Sequence, residues 1–297
     1  MDTDGIYTQM IDAAWLTDKD VTLDVLRLDA IHPIVSGNKW FKLKYYLDDA
    51  RSKGYTTIAT FGGAWSNHLL ATAFACKQAG LQSVGFIRGE AVEKTSATLL
   101  QCERYGMELI HVSRDNYRDK EGIERQHEEK GWYFINEGGY GILGAKGAAD
   151  ILSYAEADTY THVIASVGTG TMLAGIINSA LPGQLVVGIS SLKGNNDLLS
   201  AITKMVVQRD NMPKYTLLHN YHFGGYGKHP DALVAFMNET WKQFELPLDI
   251  VYTGKLFFAI VDLVNKNFFD RGSKLLMIHS GGLQGNNSLA MDRLSFF

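Results

Sequence analysis

Two lysines three residues apart, Lys39 and Lys42, lie in the stretch Ser36–Leu47. Gly37 and Asn38 read as a turn or as the lead into a helix, and from Lys39 onward the pattern is helical. Trp40, Leu43 and Leu47 form an apolar stripe at i, i+3 and i+7, and Lys39, Lys42 and Tyr46 repeat that spacing on the neighbouring face. Two amines therefore project the same way from the first turn of a helix, where the macrodipole is positive and a cation is poorly placed. One of them is easier to accommodate beside an anion or without its charge. A lysine that is neutral near physiological pH can form a Schiff base with a carbonyl. The same spacing also describes two solvated lysines on an amphipathic helix, so the other motifs must decide.

The loop Gly168-Thr169-Gly170-Thr171, within Ser166–Gly175, offers backbone N–H groups, two hydroxyls and a helix start. These suit a phosphate. No Gly-Lys-Ser/Thr pair follows, and the spacing of a dinucleotide fingerprint is missing. A phosphate monoester on a small cofactor fits, as does a tight turn with close helix packing. In Gly62–His68, the residues Ser66, Asn67 and His68 crowd another helix start. Free N–H groups and hydroxyls there can hold a carboxylate or simply cap the helix. Tyr226 lies in the glycine-flanked loop Phe223–Lys228, Tyr252 and Thr253 just precede a helix, and Ser280 follows the last strand in His279–Gly282. Each of these, like Glu137–Gly141, also reads as a turn or cap.

These loops must be carried by regular elements. Strands are expected at Val21–Leu28, Thr57–Phe61, Ser83–Ile87, Glu108–Val112, Trp132–Ile135, His162–Val167, Leu185–Ile189 and Lys274–His279. His32-Pro33 reads as a break before the lysine helix. Helices are expected from Ser66-Asn67 to Gly80, at Thr95–Tyr105, from about Arg118 to Lys130, at Ala145–Glu156, after Gly168–Thr171, and near Asn196–Val207, Asp231–Glu245 and Lys255–Asn267. Strand followed by helix, repeated, signifies a parallel sheet with crossover helices, and such sheets bind ligands at the carboxyl ends of their strands. The glycine-rich loops fall at those ends.

The totals are those of a globular protein: 297 residues, 46% hydrophobic and 20% charged, enough for one large domain or two smaller ones. A formal net charge of −4 argues against general nucleic-acid binding and against a basic membrane face. Cys76 and Cys102 make neither a disulfide framework nor a zinc pattern, which points to a reducing, cytoplasmic setting. The acidic start, Met1 to Gly5, has no signal-peptide core, and no run is apolar enough to span a bilayer.

Taken together, Ser-Gly-Asn-Lys with a second lysine three residues on, Gly-Gly-x-x-Ser-Asn-His, the Gly-Thr-Gly-Thr loop, Val-Tyr-Thr-Gly-Lys and His-Ser-Gly-Gly are specific. From about Arg27 to Gly282 the chain resembles the fold-type II pyridoxal-phosphate enzymes. Within them it is similar to the family of 1-aminocyclopropane-1-carboxylate deaminase and D-cysteine desulfhydrase. The resemblance implies an α/β fold of the tryptophan synthase β type, with two open parallel-sheet domains. The larger, cofactor-binding domain is expected from residues 1–50 and 145–297 and the smaller from 51–144. It implies pyridoxal 5'-phosphate as cofactor, a small amino acid as substrate and a homodimer.

The resemblance also implies roles. Lys39 matches the Schiff-base lysine and Lys42 the second lysine near the phosphate. Asn67 matches the partner of the cofactor's ring oxygen, and with Ser66 and His68 it forms the substrate-carboxylate loop. Gly168, Thr169, Gly170 and Thr171 match the phosphate cup, Tyr226 and Tyr252 two active-site tyrosines, and Thr253 the residue facing the pyridine nitrogen. The deaminases carry glutamate at the position of Thr253 and leucine at that of Ser280, where the desulfhydrases carry hydroxyl residues. Both positions thus favour α,β-elimination, with ring-opening deamination as the alternative and a non-catalytic cofactor-binding protein as a further one. Phe41 departs from the family, which usually has arginine there, and the phosphate loop is one residue longer than in the deaminases.

Overall fold

The computed structural model describes residues 3–32, 35, 37–91, 95–290 and 292–297. Pro33 of the expected break, Ser36 of the lysine stretch, and Met1 and Asp2 of the acidic start lie outside the described residues. The strands are β1 (Thr8–Ile11), β2 (Thr22–Arg27), β3 (Thr57–Gly62), β4 (Gln82–Arg88), β5 (Met107–Val112), β6 (Tyr133–Ile135), β7 (His162–Val167), β8 (Leu185–Ser190), β9 (Lys214–Leu218) and β10 (Lys274–His279). The α-helices are α1 (Ala14–Thr17), α2 (Asn38–Ser52), α3 (Asn67–Ala79), α4 (Ala97–Arg104), α5 (Lys120–Gln126), α6 (Ile142–Ala149), α7 (Thr171–Ser179), α8 (Leu198–Thr203), α9 (Asp231–Phe244) and α10 (Thr253–Asn265).

They build two sheets. The larger runs β1-β2-β10-β7-β8-β9 and the smaller β5-β4-β3-β6. Every pairing is parallel except β1 with β2. Alternate residues of the large sheet face opposite cores. Leu23, Val25, Ile164, Leu275 and Met277 pack with α9 and α10 residues, whereas Leu26, Val163, Ala165, Leu276 and Ile278 pack with residues of α6, α7 and α8. Both faces are covered, as parallel sheets require.

In each sheet the chain order reverses beside a central strand, β7 next to β10 in one and β3 next to β6 in the other. Loops diverge at such points and leave a crevice. Helix α2 joins the two halves. Its Leu43, Tyr46 and Leu47 pack on Ile58, Ala71 and Ile135 of the small unit, while Phe41 belongs to the core beneath the large sheet. Helix α6 approaches α2 so closely that a Cβ at Gly147 would stand 1.9 Å from the Phe41 carbonyl oxygen.

Some elements differ from the sequence reading. The short edge strands β1 and β9 and the short helix α1 are additional, the helix expected from about Arg118 to Lys130 is α5 flanked by 3-10 turns at Asn116–Arg118 and Glu128–Lys130, and the helix expected at Ala145–Glu156 is instead α6 followed by a 3-10 turn at Asp150–Tyr154. Gly144 and Gly147 weaken the helical pattern just where α6 runs, which displaces the expected start.

Candidate active site

A cavity of about 770 Å³ opens between the sheets at the carboxyl ends of their strands. Its lysine wall is fixed by the start of α2. Gly37 has φ +80°, and a Cβ there would collide with the Ser280 carbonyl, 1.9 Å away. Only glycine lets the two segments meet, and the Asn38 N–H donates to that carbonyl at 3.1 Å. Lys39 Nζ, half-buried, donates to Asn38 Oδ1 at 2.9 Å. Burial pushes the Lys39 amine down to about 8, against the opposing charge of Asp249. Lys42 is buried and donates to the Gly138 carbonyl at 3.3 Å; burial and the charge of Lys39 hold its amine well below the usual range. Both amines expected from the helix pattern thus reach the cavity.

Ser66 caps α3, accepting from the Leu69 N–H at 3.3 Å, so capping and cavity lining coexist in one residue. Asn67 donates to the Gly282 carbonyl at 3.2 Å, which leaves its buried Oδ1 without a partner among the described residues. His68 is 2% exposed. Thr60 gives its proton to the Ile135 carbonyl at 2.7 Å and lies 2.8 Å from His68 Nε2. Nε2 therefore donates to Thr60, and Nδ1 is left as an unprotonated acceptor with no partner among the described residues. Burial, then the charges of Lys39 and Lys42, keep this imidazole neutral well below its ordinary value.

The Gly168–Gly170 loop lines the cavity before α7, with Gly170 left-handed at φ +85°. Thr171 does not line it; its buried hydroxyl lies 3.1 Å from that of Thr169, which does. Tyr252 and Tyr226 meet edge-on with centroids 6.1 Å apart. Burial raises the Tyr252 phenol strongly; Tyr226, 59% exposed, is raised by its partial desolvation, and the charges of Asp249 and Glu137 add to both.

Thr253, expected to face the pyridine nitrogen, is fully buried next to Tyr252, which lines the cavity. Its hydroxyl donates to Asp249 Oδ2 at 2.7 Å and accepts from the Asp249 N–H at 2.7 Å. Asp249 also accepts the N–H groups of Val251, Tyr252 and Thr253, so this carboxylate organises the start of α10. The small hydroxyls that do line the cavity beside Gly281 are Ser280 and Ser166, 3.4 Å apart. Behind Ser280, the buried His279 places Nδ1 3.0 Å from Asp29 Oδ1 and donates from Nε2 to the Pro247 carbonyl at 2.7 Å. Arg27 grips the same carboxylate at 2.8 and 2.6 Å.

Some groups could not be anticipated. Lys255, fully buried on α10, donates to the Gly225 carbonyl at 2.8 Å and so ties down the loop that carries Tyr226. Burial pushes its amine down to about 8. The folded protein therefore binds fewer protons than the unfolded chain between about pH 8 and pH 10.5, and stability rises with pH across that window. Between about pH 7 and pH 9.5 the wild type should gain about 1–2 kcal/mol more than Lys255→Met, measured by urea unfolding.

The donor set fits pyridoxal phosphate. A lysine of lowered proton affinity, a glycine-threonine loop at a helix start, and two orphaned buried acceptors, Asn67 Oδ1 and His68 Nδ1, share one cavity. Lys39 would hold the carbonyl end, Lys42 and the Gly168–Thr171 segment the phosphate, and Asn67 the ring oxygen. Fold and site together define an α/β enzyme of fold-type II. The model of the family described as "Pyridoxal-phosphate dependent enzyme" matches residues 5–281, and the chain belongs to that family, with pyridoxal phosphate as its cofactor.

Two kinds of name occur among curated proteins similar to it. A protein of Pyrococcus horikoshii named "Putative 1-aminocyclopropane-1-carboxylate deaminase" is 30% identical over 84% of this chain and 81% of its own length. A "D-cysteine desulfhydrase" of Yersinia pestis is 24% identical over 86% of each. The crystal structure of an "ACC deaminase homologue" superposes with a TM-score of 0.78 at 27% identity, covering 95% of this chain and 90% of that one. The protein is a pyridoxal-phosphate-dependent lyase of this deaminase and desulfhydrase group. Among the described residues no helix is long and apolar enough to cross a membrane, and no cluster of residues could hold a metal ion.

Proposed function

We propose that the reaction is an α,β-elimination on a small amino acid, D-cysteine desulfhydrase-like, that yields a 2-oxo acid, ammonia and, from cysteine, sulfide. The observation that carries this reading is the wall around Ser280. It presents the hydroxyls of Ser280 and Ser166, while the nearby Asp249 carboxylate, next to Gly282, is buried and fully engaged with Val251, Tyr252 and Thr253. Glu137 is the one carboxylate among the described lining residues, and it pairs with Lys120 at 2.9 Å. A ring nitrogen facing hydroxyls is not held protonated as it would be beside a carboxylate, which suits simple elimination better than ring opening.

Bound pyridoxal phosphate supplies the sink for the electron pair left at the substrate's α-carbon. The chain supplies the rest. Lys39 Nζ, lowered to about 8, is partly neutral at physiological pH and can accept the α-proton. The Tyr226 and Tyr252 phenols, both raised, keep their protons and are poor bases, and Ser66 is already engaged as the α3 cap. Ser66 and the N–H groups at the start of α3 hold the substrate carboxylate.

Ring-opening deamination is the second reading, and the names and 30% identity of the archaeal relatives favour it. Product assay separates the two. The purified holoenzyme is expected to release pyruvate from D-cysteine with a change in its visible absorbance. Release of 2-oxobutyrate from 1-aminocyclopropane-1-carboxylate, with no pyruvate from D-cysteine, would overturn the elimination reading.

A further inference from the structure

The cavity extends beyond the groups that hold the cofactor and the substrate carboxylate. Its far end is built from the carboxyl ends of the small sheet: Trp65 after β3, Arg88 ending β4, Lys120 opening α5, and Asn136 and Glu137 after β6. The total volume, about 770 Å³, lies in the upper part of the roughly 300–1,000 Å³ range of drug-sized ligand pockets, more than a cofactor with cysteine would fill. The charges there do not cancel. Lys120 is neutralised by Glu137 at 2.9 Å, whereas the exposed Arg88 side chain makes no hydrogen bond or ion pair with the described residues. The compartment is continuous with the reacting end, since Arg88, Lys120 and Glu137 line the same cavity as Lys39, Tyr226 and Tyr252.

Resting on the elimination reading, we infer that this end of the cavity is a subsite for a β-substituent that ends in an anion, with Arg88 as its specificity-determining residue. Guanidinium is suited to planar or bidentate pairing with carboxylate, sulfonate or phosphate oxygens, and the exposed Trp65 indole offers an apolar side for the linking atoms. In the step itself the α-proton passes to Lys39 Nζ, the Cβ–X bond breaks, and X departs with the electron pair. A Cα–Cβ double bond forms, and water hydrolyses the released aminoacrylate to a 2-oxo acid and ammonia. Arg88 holds the charge already present on X and takes no part in the proton transfer.

The test compares S-sulfocysteine with cysteine, each as both enantiomers, on holoenzyme of the wild type, Arg88→Gln and Arg88→Lys. It reads the ratio of kcat/KM values and, by calorimetry, the ratio of Kd values on holoprotein bearing Lys39→Ala. The wild type should prefer S-sulfocysteine, Arg88→Gln should lower that preference by about 10- to 100-fold, and Arg88→Lys should restore part of it. No preference in the wild type, or a preference untouched by Arg88→Gln, overturns the subsite. A binding preference that follows Arg88 without any turnover supports the subsite while refuting elimination, so the two failures are distinguishable.

Discussion

Lys39→Ala is expected to fold, yet to lose turnover by at least about 10²- to 10⁴-fold, the contribution of one positioned general base. The amine carries a desolvation cost in the folded state, so its removal should not lower the melting temperature. The pH dependence gives a second handle. An amine must be neutral to attack a carbonyl, and this one is pushed down to about 8. The rate at which cofactor-free protein takes up pyridoxal phosphate should therefore climb with pH and level off above about pH 8. Measuring 2-oxo acid formation with a thermal melt separates lost chemistry from lost fold. Retained lyase activity in the variant would remove Lys39 from the reaction.

The largest structural effect is expected at Asp29. Its carboxylate is buried between the Arg27 guanidinium and His279. Burial alone would raise this carboxyl, but His279 and Arg27 hold it well below the usual carboxylate range. Removing one partner of a buried pair typically costs about 3–5 kcal/mol, because the other charge is left uncompensated. Asp29→Ala should lose about that much in urea unfolding near neutral pH. The sign with pH follows from the lowered value. The contribution is complete above the unfolded carboxyl's pKa of about 3.9 and declines as pH falls toward and through the lower folded value. The gap between wild type and variant should therefore be constant from about pH 5 to pH 7 and narrow in stronger acid. Because His279 precedes Ser280 directly, the damage should extend to cofactor affinity, read by titrating pyridoxal phosphate.

What could be read from the chain was local. The spacing of Lys39, Lys42 and Tyr46 foretold a helix face, and the structure buries Lys42 and Tyr46 there while half-burying Lys39. Ser66 and Gly80 marked the two ends of α3 as a cap and a left-handed stop. The strands with long apolar runs were legible for the same reason. The edges β1 and β9 were not, because they are short and only partly buried. Nothing local connects Arg88, Lys120 and Glu137, which come from three different strand ends and meet only when the small sheet forms. Thr253 is a different case: its place in a motif was clear, but the partner of its hydroxyl, the Asp249 carboxylate four residues earlier, was not.

Helix α2 contributes one face to the core of each sheet, and the segment that anchors its start reaches from β10. Neither sheet can be lost without exposing part of that helix, so partial unfolding of either half dismantles the lysine's surroundings. A nascent or damaged chain then holds an ordinary, solvated lysine with no phosphate cup beside it. Capture of a reactive aldehyde thus becomes a property of the finished molecule alone, and cofactor uptake doubles as a report on the completeness of folding.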